Sequence, residues 1–171
     1  VGSINLDDIP SGSLCVIDTN ILLYAEQSVS DQAQRFIRRC SQGELSGVLP
    51  QTVWQELTHK LMLAEAMMKG LIAEGKPALR LASKPEIIKG LSLYRAKVNA
   101  LVDLGLGFAA CTLEDLTKTA FKMQEKYGFL TNDAVVLAVA IRLKADVLVS
   151  SDKAFHGVTE VTVHYPTDLG L

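Results

Sequence analysis

The chain has 171 residues, of which 49% are hydrophobic and 21% charged, with 17 basic and 19 acidic side chains for a net charge of −2. This composition excludes a disordered chain and a generally basic nucleic-acid-binding protein. A local basic surface is still compatible with it, because the net charge does not report how the charges are distributed. The longest apolar run, residues 134–141, is far shorter than the roughly 20 residues that span a bilayer, so no membrane association is expected.

An odd number of widely spaced cysteines, with no C-x-x-C pair, predicts a reduced, cytoplasmic protein: Cys15, Cys40 and Cys111. Residues 1–13 lack the apolar segment of a signal peptide and are predicted to be an N-terminal extension. Its first residues, Val1-Gly2-Ser3, resemble an expression-vector remnant or a trimmed start. Residues 14–171 are predicted to form a single domain, which is the simplest organisation for this length.

Short apolar runs and longer helical patterns alternate along the chain. The predicted strands are residues 14–17, 47–49, 107–111, 147–149 and 161–163, of which the third is the weakest and the last is an edge strand. The predicted helices are residues 31–40, 51–69, 86–104, 113–127 and 133–144. Residues 74–85 are linker-like and fall in a helical excursion around residues 69–100. This alternation predicts a three-layer α/β/α fold with a mostly parallel central sheet.

Acidic residues follow the predicted strands at the positions where ligands bind. Asp18 comes directly after the strand 14–17 and Asp152 just after the strand 147–149, while Glu56 lies on the helix after the strand 47–49. Asp133 lies in the first turn of a very apolar helix, for which Thr131 or Asn132 is the expected cap. In open parallel sheets, ligands bind beyond the carboxyl ends of strands where the strand order reverses. We therefore expect these acids to share a pocket.

Each acid also has a purely structural explanation. Asp133 alone is more typical of a helix cap or a dipole partner, Asp152 of a turn, and Glu56 of a solvated helix surface. Asp18 is harder to explain in this way, because Thr19 and Asn20 add two more polar groups at the same strand end. Crowded carboxylates raise one another's pKa unless a cation lies among them, and hard oxygen ligands favour Mg²⁺ or Mn²⁺.

Four motifs together resemble the PIN domain family, over about residues 14–165. They are D-T-N after the first strand, the helical glutamate of TVWQEL, N-D-A at the start of a buried helix, and ADVLVSSDKAF. The resemblance implies a metal-dependent ribonuclease, and the family includes the toxins of toxin–antitoxin pairs. Carried over by position, it makes Asp18, Glu56, Asp133 and Asp152 the acidic quartet, with Asn20 and Ser150 as supporting residues.

The resemblance also implies a cofactor and partners. Two ions held by carboxylates would clamp the attacking and leaving oxygens of a phosphodiester, so the expected cofactor is Mg²⁺ or Mn²⁺. Asp18 would be the central ligand, Asp133 and Asp152 would complete the coordination, and Glu56 would position or deprotonate the water. RNA is the implied substrate, and a homodimer and an antitoxin are the implied protein partners. Apolar residues 22–24 and the Met-rich stretch 61–68 are the expected association surface.

Several residues compete with this interpretation or add to it. Glu65 is a second helical acid that could replace Glu56, whereas Asp146 begins its strand and is expected to face away from the pocket. Basic residues that could contact phosphates are Lys60, Lys84, Lys89, Arg95, Lys97 and Lys153. A non-catalytic PIN-like binding or assembly module is the main alternative function. A haloacid-dehalogenase-like phosphatase is another alternative, but it needs a second acid where this chain has Asn20.

Overall fold

The computed structural model describes residues 4–170, so Leu171 and the predicted vector remnant at residues 1–3 lie outside the described part. Its strands form one parallel sheet in the order β3-β2-β1-β4-β5. They are β1 (Leu14–Ile17), β2 (Ser46–Pro50), β3 (Gly107–Ala109), β4 (Val147–Val149) and β5 (Thr162–His164). The helices between the strands make this an α/β/α fold with a parallel central sheet, as predicted.

The helices of the described residues follow most of the predicted patterns. They are α1 (Thr19–Glu26), α2 (Asp31–Ser41), α3 (Gln51–Met68), α4 (Pro77–Ala82), α5 (Pro85–Gly90), α6 (Leu93–Asp103), α7 (Ala120–Tyr127) and α8 (Thr131–Arg142). The turn before α7, Asp115–Thr119, is π-helical. None of these helices is long and apolar enough to cross a membrane.

Three local predictions are wrong. The pattern over residues 86–104 is two helices rather than one, because Leu91 adopts an extended backbone and buries its side chain between α5 and α6. Helix α1 was not predicted, since it is short and begins directly at the D-T-N motif. Neither Thr131 nor Asn132 caps α8, because the helix already begins at Thr131 with Leu130 as its N-cap.

The main core lies on both faces of the central strands. Val16 in β1 and Leu148 in β4 are paired neighbours and are fully buried, and α8 buries every residue from 134 to 140. Gly47 in β2 is required by this packing. A Cβ there would lie 2.9 Å from Leu106 Cδ2 and 3.0 Å from Cys40 Sγ and Ile17 Cδ1, so a larger residue would force these packed side chains to shift.

The N-terminal extension packs on the domain where the structure describes it. Leu6 and Ile9 are buried in the main core. The backbone oxygen of Ile4 accepts a hydrogen bond from the amide of Tyr165 (2.9 Å), and Arg39 on α2 donates to the backbone oxygen of Ile9 (2.6 Å). Residues 4–13 therefore belong to the same packed unit as the sheet.

Helices α4, α5 and α6 form the predicted excursion and have a small core of their own. Ala66 on α3 packs there with Ile72, Leu81 and Leu91. Glu65 on α3 is buried beside this cluster and accepts hydrogen bonds from the amides of Ser92 (3.1 Å) and Tyr94 (2.8 Å), and from Lys69 Nζ (2.5 Å). Burial alone would raise the pKa of Glu65, but these bonds outweigh it and lower the pKa to about 2.

We expect Glu65→Gln to destabilise the protein by about 1–3 kcal/mol, because a neutral amide cannot accept all of these bonds. The free energy of unfolding is measured in urea, with Glu86→Gln as the control, since Glu86 forms an exposed pair with Lys89. The folded pKa lies below the ordinary value of 4.5. The difference between wild type and variant should therefore be complete at neutral pH and shrink as the pH falls below about 4.5. An equal effect of both substitutions would contradict this role of Glu65.

Candidate active site

The site lies where the order of the strands reverses. From β1 the chain proceeds to β2 and β3 on one side of the sheet, and β4 and β5 lie on the other side. The carboxyl ends of β1 and β4 therefore flank the topological switch point, where open α/β sheets bind their ligands. Asp18 directly follows β1, and Ser150 directly follows β4.

Asp18 is held by hydrogen bonds to both of its carboxylate oxygens. It is the N-cap of α1, and Oδ1 accepts from the amide of Thr19 at 2.7 Å. Oδ2 accepts from Ser150 Oγ at 2.7 Å. Burial raises the pKa of Asp18, and the negative charges of Glu56 and Asp152 raise it further, while the two hydrogen bonds act in the opposite direction without cancelling the rise. Asp18 is therefore a fixed carboxylate that lacks a full countercharge.

Ser150 joins the two strand-end acids. It is fully buried, donates its hydroxyl to Asp18 and accepts from the amide of Asp152 at 3.0 Å. Asp152 in turn caps the short 3₁₀ helix Lys153–Gly157 by accepting from the amide of Ala154 at 2.8 Å. One hydroxyl group thus sets the distance between the chain segments that carry Asp18 and Asp152.

Glu56 faces Asp18 from α3. Its Oε2 accepts from Thr19 Oγ1 at 3.0 Å, and its Oε1 pairs with Lys60 Nζ at 2.7 Å. The same ammonium group lies 3.5 Å from Asn20 Oδ1. Because Thr19 also donates its amide to Asp18, this one residue contacts both acids.

Asp133 completes the group from the first turn of α8. Among residues 4–170 no hydrogen bond is directed to its half-buried carboxylate. Burial raises its pKa, and the charges of Asp152, Asp18 and Glu56 raise it further, to about 6. All four predicted acids are therefore close enough to share one electrostatic environment.

The donor set suits a hard divalent cation. Within residues 4–170, no three carboxylate, imidazole or thiol groups already surround a point that could hold a metal ion. Mg²⁺ does not need such a cage, since it keeps several waters and binds through one or two carboxylates. Burial and the neighbouring negative charges both raise the pKa of Asp18 and Asp133. A divalent cation would offset both effects by stabilising the ionised carboxylates, so the residues fit a hard cation such as Mg²⁺ or Mn²⁺.

The competing acids lie elsewhere. Glu65 holds the start of α6 and is not directed at the switch point. Asp146 Oδ2 accepts from the amide of Leu14, at the opposite edge of the sheet. His59 is exposed. Glu56 is thus the acid of α3 that faces Asp18.

Two residues of the site were not assigned a role by the sequence. Thr19 was noted only as one more polar group, and Lys60 only as a possible phosphate contact. The available signals were the D-T-N motif itself and the spacing of four residues between Glu56 and Lys60, which places both on one helix face. Of the other basic candidates, Lys89 and Lys97 form ion pairs with Glu86 and Glu26.

We expect Asp133→Asn to stabilise the metal-free protein at about pH 7.5, by about 1 kcal/mol after allowance for solvent screening of a half-buried carboxylate. A folded pKa above the ordinary 3.8 means that ionising Asp133 costs stability as the pH rises towards about 6. The gain should therefore shrink as the pH falls to about 4. Urea unfolding across this pH range checks it, with the exposed Asp103→Asn as the control for loss of one charge. Destabilisation at every pH would show that Asp133 has a structural role.

Comparison with known proteins places the fold. The fold resembles that in the crystal structure of VapBC2 from Rickettsia felis bound to a promoter DNA fragment. The sequence identity is 15% and the TM-score 0.58, and the alignment covers 89% of this chain and 98% of that chain. The chain also resembles a toxin-antitoxin complex from Klebsiella pneumoniae, with 16% identity, a TM-score of 0.55, and coverage of 86% and 94%. At these identities the likeness shows the fold alone.

No protein of curated function matches the chain significantly in sequence. The model of the PIN domain matches residues 15–161. This range includes β2, β3, β4, all of β1 except Leu14, and all four acids at the switch point, and it ends just before β5. Since the match extends over far more than half of the sequence, the chain belongs to the PIN domain family.

Proposed function

We propose that the protein is a metal-dependent endoribonuclease of the toxin type. The observation that carries the proposal is the shared electrostatic environment of Asp18, Glu56, Asp133 and Asp152 at the switch point of the sheet. Four carboxylates in such a position are costly for the metal-free fold. A protein would keep them there for a ligand that their charge attracts.

The acids divide into two groups by their surroundings. Asp18, Asp152 and Asp133 would hold Mg²⁺ or Mn²⁺, directly or through water, with Asp18 in the central position because Ser150 and the Thr19 amide fix its orientation. When bound, the cation would supply charge stabilisation for the phosphoryl oxygens and a water of lowered pKa.

Glu56 is suited to accept a proton. It lies across from Asp18, and Thr19 Oγ1 orients its carboxylate by donating to Oε2. Oε1 would be the oxygen that accepts the proton, after its ion pair with Lys60 has opened. As a general base it would receive the proton of the attacking water. The hydroxyl groups of Ser150 and Thr19 at the switch point both donate to carboxylates, so water is the attacking group in this scheme.

RNA is the proposed substrate. The two similar structures come from toxin–antitoxin systems, and the family resemblance of the motifs supports a nuclease. An acidic pocket repels a polyanion until divalent ions reverse its sign, so both RNA binding and cleavage should require the metal.

We expect wild-type protein to cleave single-stranded RNA with Mn²⁺ or Mg²⁺ and not with EDTA. Asp18→Asn and Asp152→Asn should lose at least about 100-fold in rate, since even residues that only orient a metal ligand cost 10- to 100-fold when mutated. The control is Asp103→Asn on the exposed end of α6. Equal cleavage by wild type and Asp18→Asn would identify the activity as contamination and remove the support for an enzyme.

A non-catalytic PIN-like module is the second candidate. One observation favours it: the ammonium of Lys60 already neutralises part of the Glu56 charge without any metal. The two functions differ in their response to about 1 mM Mn²⁺, which should raise the melting temperature of a metal-binding site by linkage and leave a plain binding module unchanged.

We also propose that the chain forms a homodimer and binds an antitoxin, as the origin of the two similar structures suggests. The predicted surface for association has to be revised. Leu22 and Leu61 are buried, and Leu23 and Tyr24 pack against the core, so that region offers mainly Met67 and Met68 to a partner.

A better surface for the dimer lies around the edge strand β3. Phe108 on β3 is 63% exposed, Leu130 before α8 is 79% exposed, and Leu113, Leu116 and Phe121 are exposed on the helical segment between them. Large apolar groups on and near an open sheet edge are unfavourable in a monomer.

Light scattering at micromolar concentration should therefore give a mass about twice the 18.5 kDa of the chain. Phe108→Lys should produce monomers, because it places a charge in the apolar contact. Met68→Lys, which changes an exposed apolar residue on α3, should leave the dimer intact. A monomer mass for the wild type would overturn the proposal.

A further inference from the structure

The side chain of Lys60 reaches from α3 into the acidic pocket. Its Nζ lies 2.7 Å from Glu56 Oε1 and 3.5 Å from Asn20 Oδ1. Glu56 precedes Lys60 by one helical turn, but Asn20 is forty residues away in sequence and belongs to the segment that follows β1. The ammonium group therefore bridges two elements of the site, which a simple pair on one helix surface would not do.

The contacts of Glu56 leave little room for a second cation. Thr19 Oγ1 holds Oε2 at 3.0 Å, and Lys60 holds Oε1. A divalent ion that used Oε1 would lie within a few ångströms of the ammonium, where like charges repel strongly even under solvent screening. The ion and Lys60 therefore compete for the same oxygen.

We propose that Lys60 is a tethered competitor of the divalent cation: it occupies the Glu56 side of the pocket in the metal-free protein and has to withdraw before an ion binds there. This inference rests on the proposed metal-dependent function. Lys60 is able to withdraw, since its side chain is 40% exposed and has no partner among residues 4–170 other than Glu56 and Asn20.

The competition has a consequence for the order of binding. Among residues 4–170, no ammonium group contacts the carboxylates of Asp18 and Asp152. Asp18 accepts from Ser150 and the amide of Thr19, and Asp152 accepts from the amide of Ala154. A first ion would thus enter on the Asp18 side. Lys60 would have to leave Glu56 Oε1 before that oxygen could contact the ion or accept a proton from a water that the ion holds.

The test is a calorimetric titration of metal-free protein with Mn²⁺, which does not depend on activity. Lys60→Met should bind Mn²⁺ about fivefold more tightly than wild type, as expected for removal of one partly exposed ion pair that opposes a divalent ion. Lys97→Met is the matched control. Lys97 forms an ion pair with Glu26 at a similar exposure (34% and 33%, against 40% and 32% for Lys60 and Glu56), but Glu26 is at the far end of α1 from Asp18.

A second titration at about 0.5 M KCl distinguishes direct competition for Glu56 Oε1 from long-range repulsion between Lys60 and the ion. Long-range repulsion is screened at this salt concentration, since the Debye length falls to roughly 4 Å. The gain of Lys60→Met should persist at high salt, and Lys97→Met should match wild type at both salt concentrations. If circular dichroism shows that Lys60→Met is unfolded, Lys60→Gln takes its place.

The outcomes separate this inference from the proposed function. Equal Mn²⁺ affinity of wild type and the Lys60 variant, with loss of binding in Asp18→Asn, overturns the role of Lys60 and leaves the metal site in place. If Lys60→Met binds Mn²⁺ more tightly than wild type only at low salt, the proposed role of Lys60 is also overturned. Long-range electrostatic repulsion by its charge would then explain the gain without contact competition. Absence of Mn²⁺ binding by wild type and by the Lys60 variant removes both proposals.

Discussion

The structure depends on one constraint, the placement of negative charge at the carboxyl edge of a buried parallel sheet. Asp18 follows a strand whose last three residues are all buried, so its carboxylate cannot move away into solvent. The fold meets this cost locally, with the Ser150 hydroxyl and the Thr19 amide on Asp18. These bonds do not remove the charge, and the pKa of Asp18 stays raised. The remaining imbalance is the physical basis of the cation site that we propose at this edge.

The same constraint explains how the surrounding elements are used. α1 begins at Asp18, the 3₁₀ helix at Asp152, and α8 two residues before Asp133, so three helical starts direct their backbone amides and dipoles towards the acids. α3 supplies Glu56 and the ammonium group of Lys60 on one face. Glu56 adds negative charge to the pocket, and Lys60 neutralises part of it. In the absence of metal, the pocket therefore keeps a net negative charge that a cation would neutralise.

The excursion α4–α6 is built on a different principle. Its small apolar cluster contains only Ala66, Ile72, Leu81 and Leu91 as fully enclosed members, which is little apolar surface for three helices. Glu65 compensates for this with directional bonds to the start of α6. Buried charge thus has opposite uses in two parts of α3. Glu65 is bonded by two backbone amides and Lys69 and is structural, whereas Glu56, nine residues earlier, is the residue that we propose as the general base.

The sequence by itself determined the fold class, the positions of the strands and the acids that follow them. Short β-branched runs and capped helices are local signals, and parallel connectivity forces the carboxyl ends of β1 and β4 to one edge. Only the tertiary structure decided what each polar group contacts. The break at Leu91, the packing of Leu6 and Ile9, the bonds of Glu65 to the start of α6 and the contact of Lys60 with Asn20 all depend on distant segments. Periodicity reports which face of a helix is apolar, but the partner of a charge is set by the neighbouring element, which no local pattern encodes.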